Sequence, residues 1–435
     1  MAVKIGLIGT GTVGGGCIDI IQKHREDFKR HFGLDIELVQ VSSRRPNCAE
    51  SHGIADLYTP NVEDVVNNPD VDIVIELIGG ITTARTLVET ALKNGKSVVT
   101  ANKALMADCG GLLLHLASEH DCEILFEGSV GGGIPIIGPM KHSLIANELQ
   151  SVMGIVNGTT NYMLTRMDAD HMSYDDVLKE AQDKGYAEAD PTADVDGHDA
   201  AAKIAILSSI AFNSRVSKDD VYTEGIRNLT PADLKAAREM GYCVKLLALG
   251  TRMKEGIDVR VHPTMLPLDH PMATVNGVFN AIYTVGDFVG ESMFFGEGAG
   301  AGAAASAVMG DVLEAARHIQ AGIKPYVGCT CTDKLSIVPI SETVQRYYLR
   351  VTVADSLGVL ASIARTFAQN GVSVHSVIQR GATHEENDGT GTVDLIYVTH
   401  RAKEKDIMSS IEDMKALENV IVPGCEPVLI RIAGK

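Results

Sequence analysis

The chain has 435 residues, 45% of them apolar and 22% charged, with a formal net charge of −18. That length exceeds one ordinary hydrophobic core, so roughly two to four domains are expected. The negative balance argues against nucleic acid or an anionic membrane as the main partner, because neutralising phosphates requires clustered Lys and Arg.

Residues 3–8 (VKIGLI) read as a buried strand, and Gly9-Thr-Gly11-Thr12-Val13-Gly14 follows before a helical pattern starting near Val13. A G-x-G-x-x-G run is weak evidence alone. Between a strand and a helix it predicts a dinucleotide site, where glycines let the backbone approach a pyrophosphate and the helix N-terminus favours the anion. The run is too short and too glycine-bound for a signal peptide. A second strand over 36–41 leads into Ser42-Ser43-Arg44-Arg45. NAD-selective sites carry Asp or Glu at this strand end; two hydroxyls and two arginines suit a 2′-phosphate instead. NADP is therefore the expected cofactor, with NAD use left open.

Further strands are expected over 73–78, 97–100 and 123–126, with helices over 62–67 and 83–94. This alternation predicts a doubly wound parallel sheet in residues 1–135. Lys103 closes the run VVTANK, at the sheet edge where ligands bind in open α/β folds. Taken alone it is a solvated strand-end lysine, and the glycine-rich stretch 127–135 is a hinge.

The rhythm then changes. Helices over 173–184, 199–211 and 231–240 mix with strands over 244–251, 257–263 and 281–285, an α+β domain spanning 136–302. An Ala-rich helix over 303–318, after the glycine turn 298–302, is placed back on the first domain. Residues 319–346 read as a connecting segment. From 347 to 435 the order is strand, helix, strand, strand, helix, strand, which is ferredoxin-like, with the polar loop THEENDG at 383–389 between its middle strands. The eight cysteines show no metal or redox spacing, so free thiols in a reducing cytoplasm are expected.

Within 185–207, GYAEADPTADVDGHDAAAKIAIL, five carboxylates precede one lysine in a small apolar helix. By spacing alone Asp199 and Lys203 are an i,i+4 pair, commonly a surface salt bridge of about 0.2–0.5 kcal/mol. However, GTGTVG, TANKAL (100–105), EGSVGGGIPII (127–137), NGTTNYMLTRM (157–167), the 185–203 block and GAGAG (298–302) together resemble the homoserine dehydrogenases. The tail VTVADSLGVLASIARTFAQNGVSVHSVIQ (351–379) resembles an ACT regulatory domain.

The resemblance implies NAD(P)-dependent interconversion of L-aspartate 4-semialdehyde and L-homoserine, on the way to threonine, methionine and isoleucine. It implies Lys203 as proton donor and Lys103 as its partner lysine at the cofactor–substrate junction. An ammonium near the aldehyde oxygen both stabilises developing charge and supplies a proton. Burial or a second cation would bring a lysine down from its ordinary value of about 10.4. It further implies Glu188 and Asp199 as substrate ligands, with Asp194 and Asp190 as hydrogen-bonding candidates. Asp196 has no task beyond solvating the loop. Thr100, Gly185, Gly298 and Gly300 join the cofactor residues. A monovalent cation, usually sodium, is implied at Glu127 and the carbonyls of Val130, Gly132 and Ile134; oxygen ligands converging on a glycine-rich turn suit a hard cation. The ACT resemblance implies an amino-acid ligand, usually threonine, near Asp355, Gly358, Val359 and Leu360, although Leu357 stands where proline is common. A homodimer or homotetramer is implied. Two related enzyme types fit less well. A phosphoglycerate-dehydrogenase type uses a His–Glu pair, and an aspartate-semialdehyde dehydrogenase needs an activated Cys. A non-catalytic amino-acid sensor is the rival from another class, and Lys203 separates the two.

Overall fold

β1 (Val3–Ile8), β2 (Ile36–Ser42), β3 (Tyr58–Thr59), β4 (Ile73–Glu76), β5 (Ser97–Thr100) and β6 (Ile124–Leu125) form a parallel sheet in the order β3-β2-β1-β4-β5-β6. The computed structural model describes residues 2–44, 47–323, 328–381, 391–417 and 420–434. Arg45 and the loop 383–389 lie outside these. The strand order reverses between β1 and β4, so a crevice opens at their carboxyl ends, where such sheets bind ligands. β1 and β4 are buried on both faces, Lys4 of β1 excepted, because helices cover both. Thr12–Phe32 and Ala301–Ala321 lie on one side, and Thr82–Lys93 and Lys103–Glu119 on the other. The returning helix Ala301–Ala321 contributes Ala305, Val308, Met309 and Val312 to the β1 core. It starts two residues before the expected 303.

Lys103 is expected at the end of a strand, and the helix Lys103–Glu119 that it opens is not among the expected elements. Its interior Gly110 and Gly111 look like breakers, yet the helix runs through both, with the Arg215 guanidinium lying over Gly111. Asn102 caps this helix by accepting from the Leu105 amide at 3.1 Å.

The second sheet contains β7 (Leu149–Ile155), β8 (Tyr222–Thr223), β9 (Tyr242–Met253), β10 (Gly256–Pro267), β11 (Phe279–Gly286) and β12 (Gly290–Glu297). It continues into β13 (Val344–Ala354), β14 (Val374–Arg380), β15 (Thr392–Thr399), β16 (Ala402–Lys403) and β17 (Val428–Ile432). The order is β12-β11-β7-β9-β10-β17-β13-β15-β14, with β8 on β10 and β16 on β13. The C-terminal module has the expected ferredoxin-like order, but its sheet is not separate. β17 pairs in parallel with β10 through Thr264–Arg431 and Met265–Ile432, which welds two sheets into one. The expected connecting segment also carries structure, since β13 begins at Val344 and Ser336 O accepts from the Ile257 amide at 2.8 Å.

Helix His198–Ala211 lies between this sheet and helix Lys103–Glu119, buried on nearly every face. Small residues (Ala200, Ala201, Ala202, Ala205) let three layers approach there. All eight cysteines are free thiols, and no helix among the described residues is long and apolar enough to cross a membrane.

Candidate active site

The first glycine turn is built for close backbone approach. A Cβ on Gly9 (φ 100°) would sit 2.6 Å from the Leu77 carbonyl oxygen, and one on Gly14 would collide with the Gly9 carbonyl. Gly11, at the helix N-cap, faces open space, so the amides of Thr12 and Val13 begin a helix with room for an anion. The Thr10 and Ser42 hydroxyls beside this turn are buried, with no hydrogen-bond partner among the described residues. Arg44 is exposed just beyond β2. Gly300 caps the helix Ala301–Ala321, and a Cβ on Gly16 would lie 3.0 Å from the Ala301 carbonyl oxygen. The two glycine turns therefore open at one edge of the parallel sheet. Gly298 itself is pressed against the Asn280 amide, whose nitrogen and oxygen are both buried with no partner among the described residues.

Strand ends carry Lys103 to this edge. Glu76, fully buried at the end of β4, accepts from the Thr100 hydroxyl at 2.7 Å and from the Ile78 amide at 2.9 Å. Thr100 Oγ1 in turn accepts from the Asn102 amide at 3.0 Å. The Thr100 hydroxyl is thus a brace within the protein, and Glu76, which the sequence reading missed, is the anchor. A carboxylate ending the apolar run IVIE was the available signal.

Lys103 and Lys203 meet on one carboxylate. Lys103 Nζ is 2.9 Å from Asp199 Oδ1, and Lys203 Nζ is 2.7 Å from Asp199 Oδ2. The Lys203 ammonium also donates to the Val156 carbonyl at 2.6 Å. Asn157 Nδ2 bridges two acids, donating to Asp199 Oδ2 at 3.0 Å and Asp194 Oδ1 at 2.7 Å, while Asn157 Oδ1 caps helix Gly158–Asp170. Asn157 was quoted only within a motif; its place just before a helix is the signal that finds it. The i,i+4 spacing of Asp199 and Lys203 is therefore not a surface pair. Their side chains are 9% and 12% exposed, against 45% for Lys103.

Burial pushes the Asp199 carboxyl up, but Lys203, Lys103 and the Asn157 amide outweigh it and hold the group well below the usual carboxylate range. Burial likewise works against charge on Lys103, yet Asp199, Asp194 and Glu188 raise its ammonium above the ordinary value. Both groups stay charged across the physiological range.

A cavity of about 620 Å³ opens beside this cluster, lined by Lys103, Gly185, Glu188, Asp190, Asp194 and Asp199 among others. Lys203 does not line it directly and reaches it through Asp199. Hydrogen bonds from the Thr192 side chain and from its amide, the latter to Oδ1 at 3.1 Å, lower the pKa of Asp190. Asp196, expected only to solvate the loop, forms a two-point ion pair with Arg227.

Glu127 accepts from the amides of Ile136, Ile137 and Gly138 at 2.6, 2.8 and 2.6 Å. This pins the crossing between the two sheets. Among the described residues no hydrogen bond ends on the carbonyls of Val130, Gly132 or Ile134, whereas the neighbouring Gly131 carbonyl is taken by the Ile134 amide at 3.0 Å. In the C-terminal module Gly358 (φ 91°) caps helix Val359–Gln369, Val359 is buried and Leu360 exposed, and the Asp355 amide donates to Gly391 O at 2.8 Å.

Comparison with known proteins agrees along the whole chain. Residues 9–127 match the family described as "Homoserine dehydrogenase, NAD binding domain", 135–313 "Homoserine dehydrogenase", and 347–416 "ACT domain". A homoserine dehydrogenase of Corynebacterium glutamicum is 45% identical over 425 residues, covering 95% of this chain and 93% of the relative. One from Synechocystis is 41% identical over 433 residues, covering 97% and 98%. Among solved structures, a homoserine dehydrogenase from Thiobacillus denitrificans superposes with a TM-score of 0.92 at 39% identity, covering all of this chain and 98% of that one. A hyperthermophilic archaeal homoserine dehydrogenase in complex with NADPH superposes with a TM-score of 0.64 at 28% identity, covering 76% of this chain and all of that one. With two sheets, paired lysines and glycine turns placed as described, the chain belongs to the homoserine dehydrogenase family, with an ACT domain at its C-terminus.

Proposed function

We propose that this enzyme interconverts L-aspartate 4-semialdehyde and L-homoserine with NADP in preference to NAD, and that Lys203 moves the proton. The observation that carries this reading is the pair of lysines held on the two oxygens of Asp199 at the wall of the cavity. Nicotinamide supplies or accepts the hydride. The chain's own residues handle the charge. When the aldehyde carbon is reduced its oxygen becomes an alkoxide, and Lys203 supplies a proton while Lys103 stabilises the charge. Asp199 orients both ammonium groups. Glu188 and Asp194 at the cavity wall suit the substrate's α-ammonium.

The open space at Gly11, the orphaned hydroxyls of Thr10 and Ser42, and the basic end of β2 support a dinucleotide with a 2′-phosphate. The uncommitted carbonyls of Val130, Gly132 and Ile134, with Glu127 beside them, support a sodium-like cation of structural role. The left-handed Gly358 turn supports an amino-acid ligand, threonine, on the ACT domain. The exposed edge strand β12, with Phe295 56% exposed, supports assembly as a homodimer or homotetramer. The test is a spectrophotometric assay of homoserine oxidation with NADP and with NAD, each with and without threonine, on the wild type and on Lys203→Ala. Turnover of Lys203→Ala near the wild-type rate would overturn the proton-transfer role.

A further inference from the structure

Arg431 lies on β17 at the weld between the two sheets, is 1% exposed, and is committed to both sides of it. On the ACT side its guanidinium forms a two-point ion pair with Glu404, which opens helix Glu404–Lys415. On the catalytic side it pairs with Glu224, donates to the Tyr222 hydroxyl at 3.2 Å and lies 5.3 Å above the Tyr222 ring. Burial opposes its charge, but Glu224 and Glu404 outweigh that and raise its pKa, so it remains a cation. Buried ion networks of this kind are often replaceable by apolar residues without loss of stability.

Glu224 begins a strap that backs the substrate carboxylates. The Glu224 amide donates to Val261 O at 2.8 Å, and the Ile226 amide donates to Val195 O at 2.9 Å. Between them Gly225 leaves no room for a side chain: a Cβ would collide with the Val195 carbonyl and lie 2.5 Å from the Asp196 Cα. The strap therefore touches the backbone of 195–196 directly. Asp194 lies one residue before this contact and Asp199 three after it, and Asn157 ties the two together. A shift of the strap has no soft side chain in which to dissipate before it reaches the carboxylates.

We infer that Arg431 is a positioning residue: through Glu224 and the 224–226 strap, it makes the placement of Asp194 and Asp199 depend on the seating of the ACT domain. This rests on the substrate reading above for its readout. The consequence is specific. Loss of the network loosens the grip on the amino-acid substrate and leaves the cofactor turn Gly9–Gly14, on the other sheet, untouched.

The test uses the full-length enzyme and the variants Glu404→Gln, Glu224→Gln, Arg431→Met and the Glu404→Gln/Glu224→Gln pair. Each single variant is expected to raise KM for homoserine about tenfold, with kcat and NADPH affinity within about twofold, and the pair to be no worse than its stronger member, since both act through one residue. Glu404→Gln is decisive, because Glu404 belongs to the ACT domain. A second arm adds L-threonine. Any threonine effect on KM is lost in Arg431→Met while calorimetry still finds threonine bound. The inference is overturned if homoserine KM in Glu404→Gln and Glu224→Gln stays within about twofold of wild type, if their effects multiply in the pair, or if kcat and NADPH affinity fall along with the rise in KM. Absence of threonine binding to the wild type would instead sink the regulatory reading, and the KM arm would still decide this one.

Discussion

Lys103 and Lys203 stand on opposite oxygens of one buried carboxylate, Asp199, at 2.9 and 2.7 Å. Two cations this close repel each other unless an anion lies between them. The arrangement thus preorganises two ammonium groups toward one region without help from a ligand. It also differs from the expectation that Lys103 acts on Lys203 as a bare second cation, because Asp199 intervenes.

Lys203→Ala should lower kcat about 10²–10⁴-fold, the span of general acid–base catalysis, while NADPH binding, followed by fluorescence, changes by less than about twofold. Lys103→Ala should also raise KM for homoserine, since this lysine lines the cavity. If Lys203→Ala alters only KM, its role is binding and not proton transfer.

How much of this was legible beforehand depends on range. The switch of period from strand to helix around Gly9–Gly14 is local, so the parallel sheet could be read directly. The helix at Lys103 could not, because Gly110 and Gly111 look like breakers, yet the helix runs through both. Lys203 was legible as a misfit, a cation in a run of Ala and Ile. Its burial by Asp199 and Val156 O depends on a tertiary fold that spacing does not encode. The β10–β17 weld joins strands far apart in the chain, and nothing local in RVHPTML or VLIRI announces it.

Arg44→Ala tests the sign of the cofactor site. A charge-assisted hydrogen bond to a phosphate contributes about 1.5–3 kcal/mol, so kcat/KM with NADP should fall about ten- to a hundredfold while that with NAD stays within about twofold. Equal losses with both cofactors would mean that Arg44 does not read the 2′-phosphate.

Gly358→Val tests the ACT turn. Gly358 has φ 91°, where a β-branched residue is strained by about 1–3 kcal/mol. The turn must reorganise, and threonine affinity measured by calorimetry should fall at least about tenfold. Unchanged affinity would move the ligand site elsewhere on the module. A truncation after residue 346 is a poorer test, because it strips β17 from β10.

His262 sets a pH dependence of stability at the weld. It is fully buried on β10; its Nδ1 lies 3.0 Å from Pro263 O, and Nε2 has no partner among the described residues. Burial, with Arg431 and Arg260 nearby, holds its pKa well below the ordinary histidine value, so the folded protein keeps it neutral. The unfolded chain takes up a proton near pH 6.5 and the folded one does not. The group's contribution is therefore fully present above that pH and is lost as pH falls, by about 1.4 kcal/mol per unit. The thermal midpoint of the wild type should drop between pH 7 and 5 more steeply than that of His262→Gln, measured by scanning calorimetry at matched ionic strength. Parallel slopes would mean that His262 is protonated in the folded state or that the seam opens before the group titrates.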